Sequence, residues 1–117
     1  MSSADCIFCK IARNEIPSKK VYEDEDLFAF HDIRPQAAVH FLSVPKQHVA
    51  SLLDVDASHA ALLGKIFTRI GQLARDQGCG EGFRTIVNTG KVGGQEVYHL
   101  HVHVIGGSTP LPAMIKW

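Results

Sequence analysis

The sequence predicts an α+β fold: about five short strands in a mostly antiparallel sheet, one long helix laid across it, and a short N-terminal helix. Three observations predict it. Leu62, Leu63, Ile66, Phe67, Ile70, Leu73 and Ala74 recur at three-and-four spacing, the period of a helix with one buried stripe. Short runs elsewhere alternate apolar and polar residues, most strictly from His99 to Ile105. The links between those runs are short, which favours antiparallel neighbours. The chain has 117 residues, 45% of them apolar, and is expected to form one domain with one ordinary core.

The elements follow in order. Residues 1–5 are expected to fray. Cys6 to Asn14 (CIFCKIARN) places Cys6, Ile7, Lys10 and Ile11 at helical spacing and predicts the short helix. Pro17 ends any continuation, because the residue before proline is pushed to extended geometry. Val21 to Glu23 and Leu27 to His31 read as strands around the turn Asp24-Glu25-Asp26. Pro35-Gln36 marks the next turn and His40 to Pro45 the next strand. The long helix is expected over Asp54 to Gln77, with Asp56 as its N-cap and Gly78 as its stop. Phe83 to Asn88 reads as a strand. Thr89 to Gln95 reads as a loop rich in glycine (Gly90, Gly93, Gly94), and Val97 to Ile105 as the last strand, ended by Gly106-Gly107. Residues 108–117 show no period and form an irregular tail.

Composition narrows the function. Twelve Lys and Arg balance twelve Asp and Glu, so the formal net charge is zero. That argues against a nucleic-acid binder and against a polybasic membrane-surface protein. No window approaches the roughly 18 apolar residues of a membrane span, and the N-terminal segment is not a signal peptide. The expected address is the cytoplasm. Three cysteines, an odd and low count, do not suit a disulfide scaffold.

The densest chemistry lies in His99-Leu100-His101-Val102-His103-Val104-Ile105. On a strand, Leu100, Val102 and Val104 face a core while His99, His101 and His103 share the other side. Alternate Cβ atoms stand about 6.6 Å apart, too far for direct imidazole contact along the strand. Histidine has no strand propensity that would explain three in alternation. Two uses remain: a metal site, or phosphate chemistry with histidine as nucleophile or proton donor. The glycine-rich loop directly before this run favours phosphate, because glycine lets backbone N–H groups approach an anion. Cys6 and Cys9 form Cys-x2-Cys, half of a common zinc site, and equally suit two small buried residues or a redox pair. Cys79 reads as structural or incidental, and His31 and His59 as surface residues.

The pattern His-φ-His-φ-His-φ-φ resembles the signature of the histidine triad (HIT) superfamily. PSKKVYEDED, AFHDIRPQA, HFLSVPKQH, VNTG and GGQEVYHLHVHVIGG resemble, in order, its nucleotide-binding branch, and the likeness runs from Cys6 to Gly107. Gly106-Gly107 is similar to that branch, whereas the dinucleoside polyphosphate hydrolase branch usually has proline-arginine there.

The resemblance implies a HIT-like homodimer whose two five-stranded sheets join. It implies a purine nucleoside phosphoramidase that cleaves the P–N bond of adenosine 5′-phosphoramidates and aminoacyl adenylates. His101 would be the nucleophile that becomes nucleotidylated, with His103 beside the phosphate and His99 and His40 orienting the site. Asp32 would hold the ribose hydroxyls and Ile33 the base. Asn88, Gly94, Gln95 and Glu96 would surround the phosphate and leaving group. Some relatives with the cysteine pair bind zinc, completing the set with the positions of His48 and His99, so the resemblance implies a structural zinc on Cys6, Cys9, His48 and His99.

The chemistry is consistent with these roles. An imidazole attacks without losing a proton if its other nitrogen is held by a neighbour. A nearby imidazole can carry the proton that an amine leaving group needs. A carboxylate accepts two hydroxyl protons, which suits Asp32 for ribose. Two departures stand out. Glu96 replaces a serine of some members and would repel phosphate unless it points away or receives a proton or an amine. The tail, with Pro110, Pro112 and Trp117, does not match the family. A dinucleoside polyphosphate hydrolase and a nucleotide-binding interaction module with little turnover are the alternatives.

Overall fold

A computed structural model describes residues 5–115. Its elements are α1 (Ile7–Ala12), β1 (Lys20–Glu23), β2 (Leu27–His31), β3 (Val39–Pro45), α2 (Ala60–Asp76), β4 (Phe83–Ile86) and β5 (Val102–Gly106). The strands form one antiparallel sheet in the order β1-β2-β3-β5-β4. This is the α+β architecture the sequence predicts. Residues 1–4 of the expected frayed start and Trp117 lie outside the described residues.

Strand alternation divides the core into two layers. Leu27, Ala29, Phe41, Val102 and Val104 pack on one face against Ile66, Ile70, Leu73 and Ala74 of α2. Phe28, Phe30, Leu42 and Val44 face the other way and pack against Phe8, Cys9, Ile11 and Ala12 of α1. Each large apolar side chain buried this way contributes about 1.5–3 kcal/mol. Phe67 departs from the expected stripe and stays 48% exposed.

The long helix begins at Ala60, not at Asp54. Two separate 3-10 turns, Leu52–Asp54 and Ala57–His59, occupy the preceding stretch. Asp56 is a cap, as expected, but of the second turn: it accepts the Ser58 N–H at 2.8 Å, and its own N–H goes to His59 Nδ1 at 3.0 Å. Local side-chain acceptors take amides that a longer helix would need. The other end matches expectation. Gly78 takes φ +94°, Gly78 N–H bonds Arg75 O at 3.0 Å and Cys79 N–H bonds Ala74 O at 2.9 Å, a Schellman closure.

The last strand is shorter than the expected Val97 to Ile105. Its ladder with β3 begins at the pair Ser43–Val102. Two residues further along β3 stands Pro45, which has no N–H to donate, and Leu100 N–H turns away to Val49 O at 2.7 Å. His99 and His101 therefore precede the strand, although the sidedness holds: Leu100, Val102 and Val104 are buried. β4 ends at Ile86, paired with His103, short of the expected Asn88. Among the described residues, no helix is long and apolar enough to cross a membrane.

Candidate active site and metal centre

A cleft of about 520 Å³ opens on the α1 face of the sheet. Ile7, Phe8 and Ile11 of α1 form one wall with Phe30 and Leu42. Of the residues expected in the catalytic and nucleotide-binding sets, Asp32, Ile33, His40, Asn88, Gly94, Glu96, His101 and His103 line it. His99 and Gln95 do not.

His101 is buried and its Nδ1 lies 2.7 Å from the main-chain oxygen of His99. A carbonyl only accepts, so Nδ1 carries the proton and the Nε2 lone pair is left free. Burial pushes the His101 pKa below its usual value, against the opposing pull of the His99 carbonyl and Asp32. The His101 and His103 rings meet edge to face, with centroids 5.0 Å apart. That corrects the expectation that neighbouring triad rings stand out of contact. The ring of Phe8 stands edge-on to His101 at 5.0 Å.

A second chain of contacts fixes His103. The Gln36 N–H donates to His40 Nδ1 at 3.0 Å, so neutral His40 carries its proton on Nε2. That nitrogen lies 2.9 Å from His103 Nδ1 and 3.4 Å from Asp32 Oδ2. His103 Nδ1 thus accepts, and its own proton sits on Nε2. Burial, with His101 and His40 as neighbours, pulls the His103 pKa down to about 4, with Asp32 opposing. Burial likewise lowers His40, again opposed by Asp32. This tautomer makes His103 a hydrogen-bond donor and narrows the expected proton-carrying role. The three ligating atoms of Asp32, His40 and His103 converge within 4.8 Å, but the Nε2 proton of His40 points at the others and blocks a cation there.

The glycine-rich loop forms the opposite margin. A Cβ at Gly93 would run into the Thr89 backbone, and Gly94 takes φ +79°. Gln95 is buried and braces this loop from within: Oε1 accepts the Gly90 N–H at 2.9 Å, and Nε2 donates to Ala50 O and Val97 O at 2.7 and 3.0 Å. Its amide is engaged at both ends in holding the loop. Asn88 makes no side-chain hydrogen bond among the described residues and reaches the cleft with both amide ends available. Glu96 is exposed there and makes no ion pair among the described residues.

His99 belongs to a separate knot. Its Nδ1 lies 3.2 Å from Cys6 Sγ, 3.4 Å from Cys9 Sγ and 3.2 Å from His48 Nδ1, and Cys9 Sγ lies 3.4 Å from His48 Nδ1. The four ligating atoms all fall within 4.8 Å of one another. Zinc with Zn–S of about 2.3 Å and Zn–N of about 2.0 Å would hold its ligands about 3.3–3.8 Å apart. His99 Nε2 donates to Pro45 O at 2.7 Å, which leaves Nδ1 unprotonated toward the sulfurs, as ligation requires. The residues fit a closed structural zinc. Burial, with Cys6 adding to it, pushes the Cys9 thiol up to about 11, against Arg13, and a dication would supply the charge that reverses this. Burial also takes His99 down to about 4, with the Pro45 carbonyl opposing and His48 and His101 adding.

Sequence reasoning missed the apolar wall of Ile7, Phe8 and Ile11, although their positions along the predicted helix share one side. It also missed His31, which lines the cleft instead of lying on open surface. Cys79 is buried in the α2 layer, where it abuts Gly106.

Residues 5–116 match the family model described as scavenger mRNA decapping enzyme C-term binding. The purine nucleoside phosphoramidase of Escherichia coli strain K12 is 46% identical over 112 residues, 95% of this chain and 93% of that protein. The crystal structure of a HIT family hydrolase from Legionella pneumophila shares 47% identity and a TM-score of 0.87, covering 90% of this chain and 95% of that one. A Zn-bound histidine triad family protein from Mycobacterium smegmatis shares 33% identity and a TM-score of 0.77, covering 92% of this chain and 78% of that one. Likeness of this extent reaches beyond a common fold, and the chain belongs to the histidine triad (HIT) superfamily.

Proposed function

We propose that this protein is a cytoplasmic purine nucleoside phosphoramidase that releases AMP from adenosine 5′-phosphoramidates and aminoacyl adenylates. The observation that carries the reading is the His101 imidazole, held through Nδ1 by the His99 carbonyl at 2.7 Å, with Nε2 unprotonated inside the cleft. Asp32 accepts the ribose hydroxyls, and Ile33 closes over the base. The Nε2 lone pair of His101 attacks the α-phosphorus and forms an N–P bond. His103 donates its Nε2–H to a phosphoryl oxygen, and the Asn88 amide and the loop at Gly94 add donors as charge develops. In a phosphoramidate the P–N bond breaks with its electron pair on nitrogen, which takes a proton from water at the mouth and leaves as the amine; in an aminoacyl adenylate the P–O bond to the acyl group breaks and the carboxylate leaves. Water then attacks phosphorus, the His101–P bond breaks, and AMP and a proton leave. The exposed Glu96 carboxylate favours leaving groups that carry a cationic amine.

The reading includes zinc in the knot as a structural element and a homodimer. β4 is an edge of the sheet and carries Phe83, 39% exposed. Symmetric pairing with a second copy would cover that edge.

Hydrolysis of a fluorogenic adenosine 5′-phosphoramidate tests the reaction. His101→Ala is expected to lower turnover by about a thousandfold or more while AMP still binds. Equal turnover in variant and wild type would overturn the assignment, and binding without turnover in wild type would leave a nucleotide-binding module.

A further inference from the structure

We propose that Cys6, Cys9, His48 and His99 position the nucleoside wall, so that the metal state of this knot sets the affinity of the cleft. The inference rests on the zinc reading and on the nucleotide reading above. α1 has six residues and is too short to hold its own shape or place in water. One side of it carries the thiols: Cys6 is the N-cap and Cys9 stands one turn on. Ile7, Phe8 and Ile11 line the cleft. Among the described residues, the hydrogen bonds that join α1 and its cap to the rest of the fold are those of the two thiols with His99 and His48. Apolar contact supplies the remainder, including the Phe8 ring against Phe30 at 5.5 Å.

Two lines of contact leave the knot. One runs through α1 to the wall. The other runs through His99 to the carbonyl that holds His101. The second is braced independently of any metal, by Pro45 O on the His99 ring and by Val49 O on the next amide. The first has no hydrogen bond of that kind and is otherwise held by the apolar packing of Phe8, Ile11 and Ala12 against β2 and β3. Emptying the knot therefore releases the wall before it disturbs the nucleophile. The cost appears in nucleoside binding, because a wall that must be ordered by the ligand lowers its affinity.

The experiment titrates AMP calorimetrically into the full chain, loaded with zinc, stripped with a chelator, and as His48→Asn, which removes a ligand while leaving the sequence of α1 unchanged. Cobalt substituted into the knot reports occupancy through its thiolate charge-transfer absorption. Hydrogen exchange reads the α1 amides. Stripping and His48→Asn are each expected to raise the AMP Kd about tenfold, with α1 amide protection lost and protection in the sheet retained. The KM for the phosphoramidate should rise by a similar factor, with kcat within about twofold. AMP affinity equal in loaded and stripped protein overturns the proposal, as does global unfolding on stripping, which would make the metal a requirement of the fold. Absence of the cobalt band removes the zinc reading and this inference with it. A cobalt band without AMP binding in the loaded protein removes the nucleotide reading instead.

Discussion

Two histidine clusters flank His101, and each is committed to its use by one main-chain group. At His99, the Pro45 carbonyl accepts a hydrogen bond from Nε2–H, so Nδ1 offers a lone pair to whatever sits among Cys6, Cys9 and His48. At His40, the Gln36 amide occupies Nδ1, so Nε2 keeps its proton and passes a hydrogen bond to His103. A carbonyl makes a metal ligand; an amide makes a donor. The surroundings agree with that division. His99 is fully buried beside two thiols, a soft set suited to zinc. His103 reaches the cleft beside Asp32, where a phosphoryl group would meet a proton. The side chain is the same in both places, and the backbone partner decides what it does.

The largest effect that would break this comparison is a metal response on the wrong side. Zinc bound only by the native state stabilises it by about 4 kcal/mol at a thousandfold excess over its Kd. Chelation should therefore lower the Tm by several degrees in wild type and in Asp32→Asn alike, and should have little effect in His48→Asn. Thermal unfolding with and without chelator checks this. A chelator response lost in Asp32→Asn and kept in His48→Asn would exchange the two assignments.

Acid should act through the donor side with a smaller effect. Burial, His101 and His40 hold His103 near 4, against Asp32. The unfolded chain binds this proton below about 6.5, whereas the folded ring resists it to about 4. Stability from this group is thus complete above pH 6.5 and is lost as pH falls from 6.5 to 4. Between pH 7 and pH 5, wild type should lose at most about 2 kcal/mol more than His103→Asn in urea unfolding. Equal losses would mean that the folded ring takes up its proton as readily as the unfolded one.

The legible part of this arrangement and the hidden part differ in kind. The alternation from His99 to Ile105 was legible because strand sidedness is a local property, and the buried Leu100, Val102 and Val104 follow from it. The end of that strand was not, because it depends on Pro45 of another strand. Cys6 and Cys9 announce half a metal site through their spacing; His48 stands 39 residues from Cys9, a distance that carries no signal, and only the resemblance named it. The two groups that set the tautomers, Pro45 O and Gln36 N–H, belong to the main chain that every residue has. Asp56 was legible as a cap but not as the cap of a 3-10 turn, since the same side-chain acceptor serves either start. Gln95 sits in a loop of the right composition, yet its amide closes that loop.

The smallest effect tests the tautomer itself. His40→Asn removes the ring nitrogen that the Gln36 amide meets and the donor that His103 Nδ1 accepts, without touching the knot. His103 then has no fixed proton position, and its Nε2–H is aimed at the phosphoryl oxygen only part of the time. A hydrogen bond of this kind is worth about 1–2 kcal/mol, so kcat should fall about tenfold with KM little changed. The cobalt band of the knot should be untouched, because His40 contacts none of its four ligands among the described residues. A loss confined to KM would place His40 with ribose binding through Asp32, 3.4 Å away, and would remove the relay. Unchanged kcat and KM would mean that His103 is oriented by the β5 backbone alone.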